Sequence, residues 1–189
     1  MGQLLDNAIV FATKAHAGQV RKMKSIPYIL HPMEVCAIVG TMSNNEELLA
    51  AAMLHDVVED CGVTPEELEQ NFGPRVKELV MMETEKKFPN LTLEQSWQER
   101  KSNSIEELRA STDLDVKRLW LADKVSNLRS FVLRYQVEGE SFWQHFHQTD
   151  KSRQEWYYRS IWDCMDELAD KPIYHEMKIL MDRLFGGNE

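Results

Sequence analysis

The chain has 189 residues, 43% of them hydrophobic, enough for a single domain with a substantial core. Its 31 acidic and 22 basic residues leave a formal net charge of −9, which excludes a broad phosphate-neutralising surface for nucleic acid but leaves small anionic ligands open to a local basic cluster. No apolar run reaches membrane-spanning length, and Met1-Gly2-Gln3-Leu4-Leu5-Asp6 carries neither a basic signal region nor the Ser or Thr of a myristoylation site. The cysteines Cys36, Cys61 and Cys164 are too scattered for a disulfide framework or a zinc site, so a reduced, cytoplasmic protein without a membrane partner is expected.

In chain order, Leu4, Leu5, Ala8, Ile9, Ala12 and Ala15 recur at helical spacing and predict a helix over 3–17, broken by Gly18. Arg21, Lys22 and Lys24 then form a compact basic loop. Pro32 suits a first helical turn, which predicts a helix over 32–42 with His31 near its N-cap. Thr64-Pro65-Glu66-Glu67 is a capping box with proline at the first helical position, and Phe72-Gly73-Pro74 closes that short helix. Further helices fit 74–87, 93–110, 114–135, 150–169 and 172–185, interrupted at Phe88-Pro89-Asn90 and Gly139. No convincing strand, repeat or linker appears. The expectation is one all-α domain over 1–189, a helical bundle of about eight to ten helices whose C-terminal third buttresses the site.

The chemistry concentrates in Leu54-His55-Asp56-Val57-Val58-Glu59-Asp60. As one continuous helix, at roughly 100° per residue, His55, Asp56, Glu59 and Asp60 fall inside an arc of about 140°, opposite Leu54, Val57 and Val58. The flanking Ala50-Ala51-Ala52-Met53-Leu54 marks this helix as largely buried, and buried carboxylates need cations. His55 and Asp56 supply one nitrogen and one oxygen ligand for a divalent metal, and Glu59-Asp60 one turn later can hold and deprotonate a water. An adjacent pair does not complete a coordination sphere. Two further ligands fit: His31, and Asp123 within the apolar run Leu119-Trp120-Leu121-Ala122-Asp123-Lys124-Val125. Their ordinary alternatives are a cap or core histidine and an ion pair with Lys124. With Asp123 as origin, Asn127 lies near 40°, Ser130 near −20° and Lys124 near 100°, all able to share its face, whereas Arg129 falls about 120° away, so its long side chain must bend round or it serves a structural ion pair. His145 and His147, two apart on a helix, diverge and are not ligands. Trp156-Tyr157-Tyr158 fits helix packing better than a stacking platform.

Together these residues carry a family resemblance. The order His31…His55-Asp56…Asp123 resembles the pattern of the HD-domain metal-dependent phosphohydrolases. More narrowly, His16-Ala17-Gly18-Gln19-Val20-Arg21-Lys22, Pro27-Tyr28-Ile29-Leu30-His31-Pro32, Leu54 to Asp60 and Leu121-Ala122-Asp123-Lys124-Val125-Ser126-Asn127-Leu128-Arg129 are similar to the successive motifs of the (p)ppGpp hydrolase domain of the RelA/SpoT family, over about residues 1–135. The single-domain small alarmone hydrolases, including the metazoan SpoT homologue, are similar in length. Departures occur at Met23-Lys24-Ser25-Ile26, at Cys61 and Ser130, where threonine is common, and at Met82 to Lys87, none of them a proposed ligand.

The resemblance implies a metal held by His31, His55, Asp56 and Asp123, a ligand set that suits Mn2+ and is compatible by type with zinc or iron. It implies Glu59 and Asp60 as the residues that orient and deprotonate water, and Arg21 and Lys22 as contacts around base and phosphates. Asn127 and its neighbours Lys124, Ser130 and Arg129 would then meet the nucleotide, with Tyr157 and Tyr158 as further contacts. The implied reaction is hydrolysis of the 3′-pyrophosphate of ppGpp or pppGpp to the 5′-phosphorylated nucleotide and pyrophosphate. With no synthetase segment after residue 189, degradation alone is expected. An adenosine alarmone such as ppApp, another nucleoside phosphate, or a catalytically silent nucleotide-binding module stay as alternatives, the last disfavoured by the intact Glu-Asp pair. Oligomeric state is left open.

Overall fold

Helical periodicity punctuated by glycine and proline yields ten α-helices, two 3-10 segments and no strand among residues 2–21, 26–86 and 88–186, which the computed structural model describes. The all-α expectation is met. No helix among the described residues is long and apolar enough to cross a membrane. Contacts group the chain into two compact units, Met1–Thr84 with Arg118–Ala122, and Glu85–Lys117 with Asp123–Glu189.

The first unit holds α1 (Gln3–Ala15), α2 (Leu30–Gly40), α3 (Glu46–Leu54), α4 (Val57–Asp60), α5 (Pro65–Phe72), α6 (Pro74–Glu83) and one stretch of α8 (Leu114–Glu138). Helix α3 is its centre and packs against α1, α2 and α6. Its Ala50, Ala51 and Ala52 are fully buried, and side chains that small let three helices approach closely, while Leu48, Met53 and Leu54 fill the space between them. Each such large side chain contributes about 1.5–3 kcal/mol of burial. The ends are capped as their sequences dictate: the Asn45 side chain accepts from Glu47 N at 3.1 Å and that of Thr64 from Glu67 N at 3.1 Å. The Glu46 carboxylate accepts from the N–H groups of Gly2 and Leu4 at 3.0 Å, tying the start of α1 to α3. These backbone donors hold its carboxyl below the usual carboxylate range.

The second unit holds α7 (Trp97–Ala110), the rest of α8, a 3-10 segment Gly139–His145, α9 (Lys151–Trp162), a 3-10 turn Asp166–Leu168 and α10 (Pro172–Phe185). Helix α9 packs on both α7 and α10. An aromatic core joins Phe131, Phe142, Trp143, Tyr158 and Phe185, with Phe142 and Trp143 centroids 5.0 Å apart and Trp143 stacked on Phe185 at 5.7 Å.

Boundaries differ from the sequence reading where side chains or proline compete with the helix. Helix α2 starts at Leu30 with Ile29 at its N-cap, so His31 lies inside the first turn and not at the cap. Pro32 is then the third helical residue, where a missing N–H still costs no intrahelical bond. Helix α6 stops at Glu83 because Thr84 turns extended, and α7 starts at Trp97 and not at 93, because Thr92 and Gln95 exchange side-chain-to-backbone bonds that form a turn.

All three cysteines are free thiols. Burial pushes Cys36 up to about 11 and also raises Cys61 and Cys164. At pH 8 the small thiolate fraction, partly offset by greater intrinsic nucleophilicity, should make iodoacetamide label Cys36 roughly ten- to a hundredfold more slowly than free cysteine. Peptide mapping after timed alkylation checks this; labelling at the free-cysteine rate would contradict it.

Candidate metal centre

The motif predicted as one helix is two. Helix α3 ends at Leu54 and α4 begins at Val57, with His55 and Asp56 forming the turn between them. The break has a local cause. The His55 Nδ1–H donates to the Ala52 carbonyl at 2.9 Å, supplying a side-chain donor at the end of α3, and Asp56 sits at φ −96°, ψ −4°. The spacing survives, since Asp60 N donates to Asp56 O at 2.9 Å across α4. A carbonyl can only accept, so the neutral ring carries its hydrogen on Nδ1 and keeps a lone pair on Nε2, the tautomer a metal ligand requires.

That Nε2 lies 3.0 Å from Asp56 Oδ2, and His31 Nε2, brought in by α2, lies 3.6 Å from the same oxygen. The two imidazoles meet edge to face at 5.1 Å. His31 and His55 are 4% and 0% exposed, so two nitrogens and one carboxylate oxygen converge at the edge of a sealed core. This His/His/Asp cluster fits a divalent cation: neutral nitrogens and one anion face a common point, and the donor set is one that Mn2+, Fe2+ or Zn2+ accepts.

The supporting residues stand in the motifs quoted from the sequence but were assigned no role there. The Tyr28 hydroxyl donates to Asp56 Oδ2 at 2.6 Å and orients the carboxylate; its position three residues before His31 was the available signal. His16 packs on Tyr28 with centroids 4.8 Å apart. Gln19 Nε2 donates to the Asp60 carbonyl at 3.0 Å, which leaves Gln19 Oε1 to accept from His16 Nδ1 at 2.8 Å. This chain of contacts pins the end of α4, which carries half-buried Glu59 and exposed Asp60. Glu83, at the end of α6, is a further missed residue: it offers a carboxylate oxygen within 4.8 Å of ligand atoms of His55 and Asp56.

The remaining candidates divide. Arg21 is half-buried and bonded through its backbone N to Ile26 O at 3.0 Å, while Lys22 and Lys24 lie outside the described residues. In the second unit, buried Asp123 accepts from Lys124 Nζ at 2.6 Å and Asn127 Nδ2 at 2.8 Å, so the ordinary ion pair is present and these three do share a face. Ser130 is half-buried on the same helix. Arg129 is held by Glu176 at 2.6 and 2.9 Å, the structural pair being the second of the two outcomes its angular position leaves open. Tyr157 lies beneath Lys101 Nζ at 4.3 Å and Tyr158 packs between Phe131 and Phe185, so both serve the core. Lys101 and Arg100 both pair with Glu85. Burial raises the Glu85 carboxyl, but the adjacent cations outweigh it and hold the group below its usual value.

An all-helical scaffold carrying two buried histidines and a half-buried aspartate is consistent with the class of helical proteins that hold a divalent metal. The family follows: a model described as the HD domain matches residues 8–148, and the chain belongs to that family. It is 38% identical over 133 residues to the Guanosine-3′,5′-bis(diphosphate) 3′-pyrophosphohydrolase of Vibrio cholerae serotype O1, covering 68% of this chain and 18% of that protein. It is 37% identical over 127 residues to the bifunctional (p)ppGpp synthase/hydrolase SpoT of Escherichia coli K12, covering 67% and 18%. The chain therefore spans under a fifth of the length of these curated relatives. Among solved structures, a metazoan ortholog of SpoT described as hydrolysing ppGpp is similar at TM-score 0.72 and 27% identity, over 98% of this chain and 96% of that one. The lmo0812 protein of Listeria monocytogenes EGD-e is similar at TM-score 0.71 and 32% identity, over 82% and 99%.

Proposed function

We propose that the protein hydrolyses the 3′-pyrophosphate of an alarmone nucleotide, ppGpp or pppGpp, to the 5′-phosphorylated nucleotide and pyrophosphate. The observation that carries this reading is the convergence of His31 Nε2 and His55 Nε2 on Asp56, one helical turn before Glu59. The similarity to ppGpp-hydrolysing proteins supplies the substrate class.

His31, His55 and Asp56 would hold the cation, Mn2+ by the resemblance, and Asp123 would complete the set. Asp123 follows directly on Arg118–Ala122, the stretch of α8 that belongs to the first unit, and its carboxylate is buried. When bound, the cation supplies Lewis-acid polarisation of the phosphoryl oxygens. Glu59 accepts a proton from the attacking water and Asp60 helps to orient it. Tyr28 keeps the Asp56 carboxylate turned toward the two histidines. Arg21 and Lys22 contact base and phosphates, and Lys124, Asn127 and Ser130 form the further nucleotide contacts that the family resemblance implies.

Incubating Mn2+-loaded protein with ppGpp, pppGpp, ppApp, GTP, GDP and a simple phosphate ester, then separating the products by anion exchange, tests the reading. Pyrophosphate should appear in equal amount with GDP from ppGpp and with GTP from pppGpp. Release of orthophosphate, or turnover of ppApp in preference to both guanosine substrates, would overturn the assignment.

A further inference from the structure

We infer that Glu83 is a direct ligand of the same metal ion, so that the first unit alone contributes His31, His55, Asp56 and Glu83; this rests on the metal-dependent reading above. One carboxylate oxygen of Glu83 and one ligand atom each of His55 and Asp56 lie within 4.8 Å of one another. Around a six-coordinate ion with bonds of roughly 2.1 Å, neighbouring ligand atoms sit about 3 Å apart and opposite ones about 4.2 Å, so atoms held within 4.8 Å of one another are near enough to close on one ion with a small shift. Glu83 is only 6% exposed. Two carboxylates brought this near to each other with little water repel, and a cation shared between them offsets both charges.

The position of Glu83 is built and not incidental. Trp120, in the α8 stretch that belongs to the same unit, donates its indole N–H to the Met82 carbonyl at 3.1 Å. On the other side, Thr84 donates from Oγ1 and from its backbone N to the Val80 carbonyl at 2.9 and 3.1 Å. The last turn of α6 is thus fixed on both sides of the glutamate. A further anionic oxygen beside two imidazoles also moves the donor set toward harder ions, favouring Mn2+ relative to zinc.

The test is Mn2+ binding to full-length Glu83→Gln, followed by electron paramagnetic resonance of the free ion and by the water-proton relaxation of the bound ion. The near-isosteric amide keeps the packing, which circular dichroism in chelator should verify. Loss of a direct ligand should raise the Mn2+ Kd at least tenfold and admit a water to the ion, increasing relaxation per bound Mn2+. A Kd within twofold of wild type with unchanged relaxation would overturn the ligand role while leaving the metal reading standing. Wild-type protein that binds no Mn2+ would overturn both. If Glu83→Gln fails to fold, Glu83→Asp keeps the charge but shortens the reach; an affinity equal to wild type in that variant overturns direct ligation, and a weaker one supports it.

Discussion

His55→Ala is expected to lose metal retention and turnover together while keeping a mainly helical spectrum. The His55 ring is fully buried, fixed by its Nδ1–H bond to the Ala52 carbonyl, and its Nε2 is the atom nearest Asp56 in the cluster. Removing it deletes a nitrogen ligand outright. Because changing only an outer-shell partner of a metal ligand typically costs about 10- to 100-fold in affinity, loss of a ligand should exceed that. Stability should fall as well, by about 1–3 kcal/mol for the acceptor left without a donor, with a further cavity contribution. The α1, α2 and α6 contacts of α3 run through Leu48 to Leu54 and do not need the imidazole, so the helices should persist. Metal content after gel filtration, the nucleotide assay and circular dichroism on one preparation decide the matter. Wild-type Mn2+ content and rate in a pure, folded variant would remove His55 from the site.

Much of the site was legible in the sequence because its parts are local. The His55-Asp56 pair and the Glu59-Asp60 pair are spaced by chain connectivity, and the buried alanine run beside them is visible in composition. What escaped was tertiary. The break between α3 and α4 depends on a side-chain donor reaching the Ala52 carbonyl, which periodicity does not encode. Tyr28, Gln19 and His16 act through contacts with Asp56, Asp60 and one another, and only the fold brings these three beside 56–61. Glu83 was masked by its place in a run, Met82-Glu83-Thr84-Glu85-Lys86, taken as part of a helix over 74–87, yet α6 stops at Glu83 and buries its side chain. Pro32 misled in the opposite direction. Proline is tolerated anywhere in the first turn, so it marks a helix start only to within a few residues.

The sharpest test of chemistry, as distinct from binding, is Glu59→Gln. This substitution should leave the Mn2+ Kd and nucleotide affinity near wild type and remove most of the rate. Glu59 lies on α4, four residues after His55, half-buried at the pinned end of that helix, and it is outside the proposed ligand set. Glutamine preserves length and shape, so α4 and the Gln19 bond to the Asp60 carbonyl should stay as they are. An amide does not take a proton from water. General-base contributions run to about 10²- to 10⁴-fold, so kcat should fall within that range while KM moves little. Asp60→Asn is the internal control: Asp60 is exposed and is given the orienting role, so its loss should be the smaller of the two. Single-turnover measurements are needed to ensure that product release does not hide the chemical step. A loss below roughly threefold in Glu59→Gln with chemistry rate-limiting would reject Glu59 as the base, and a larger loss in Asp60→Asn would transfer that role to its neighbour.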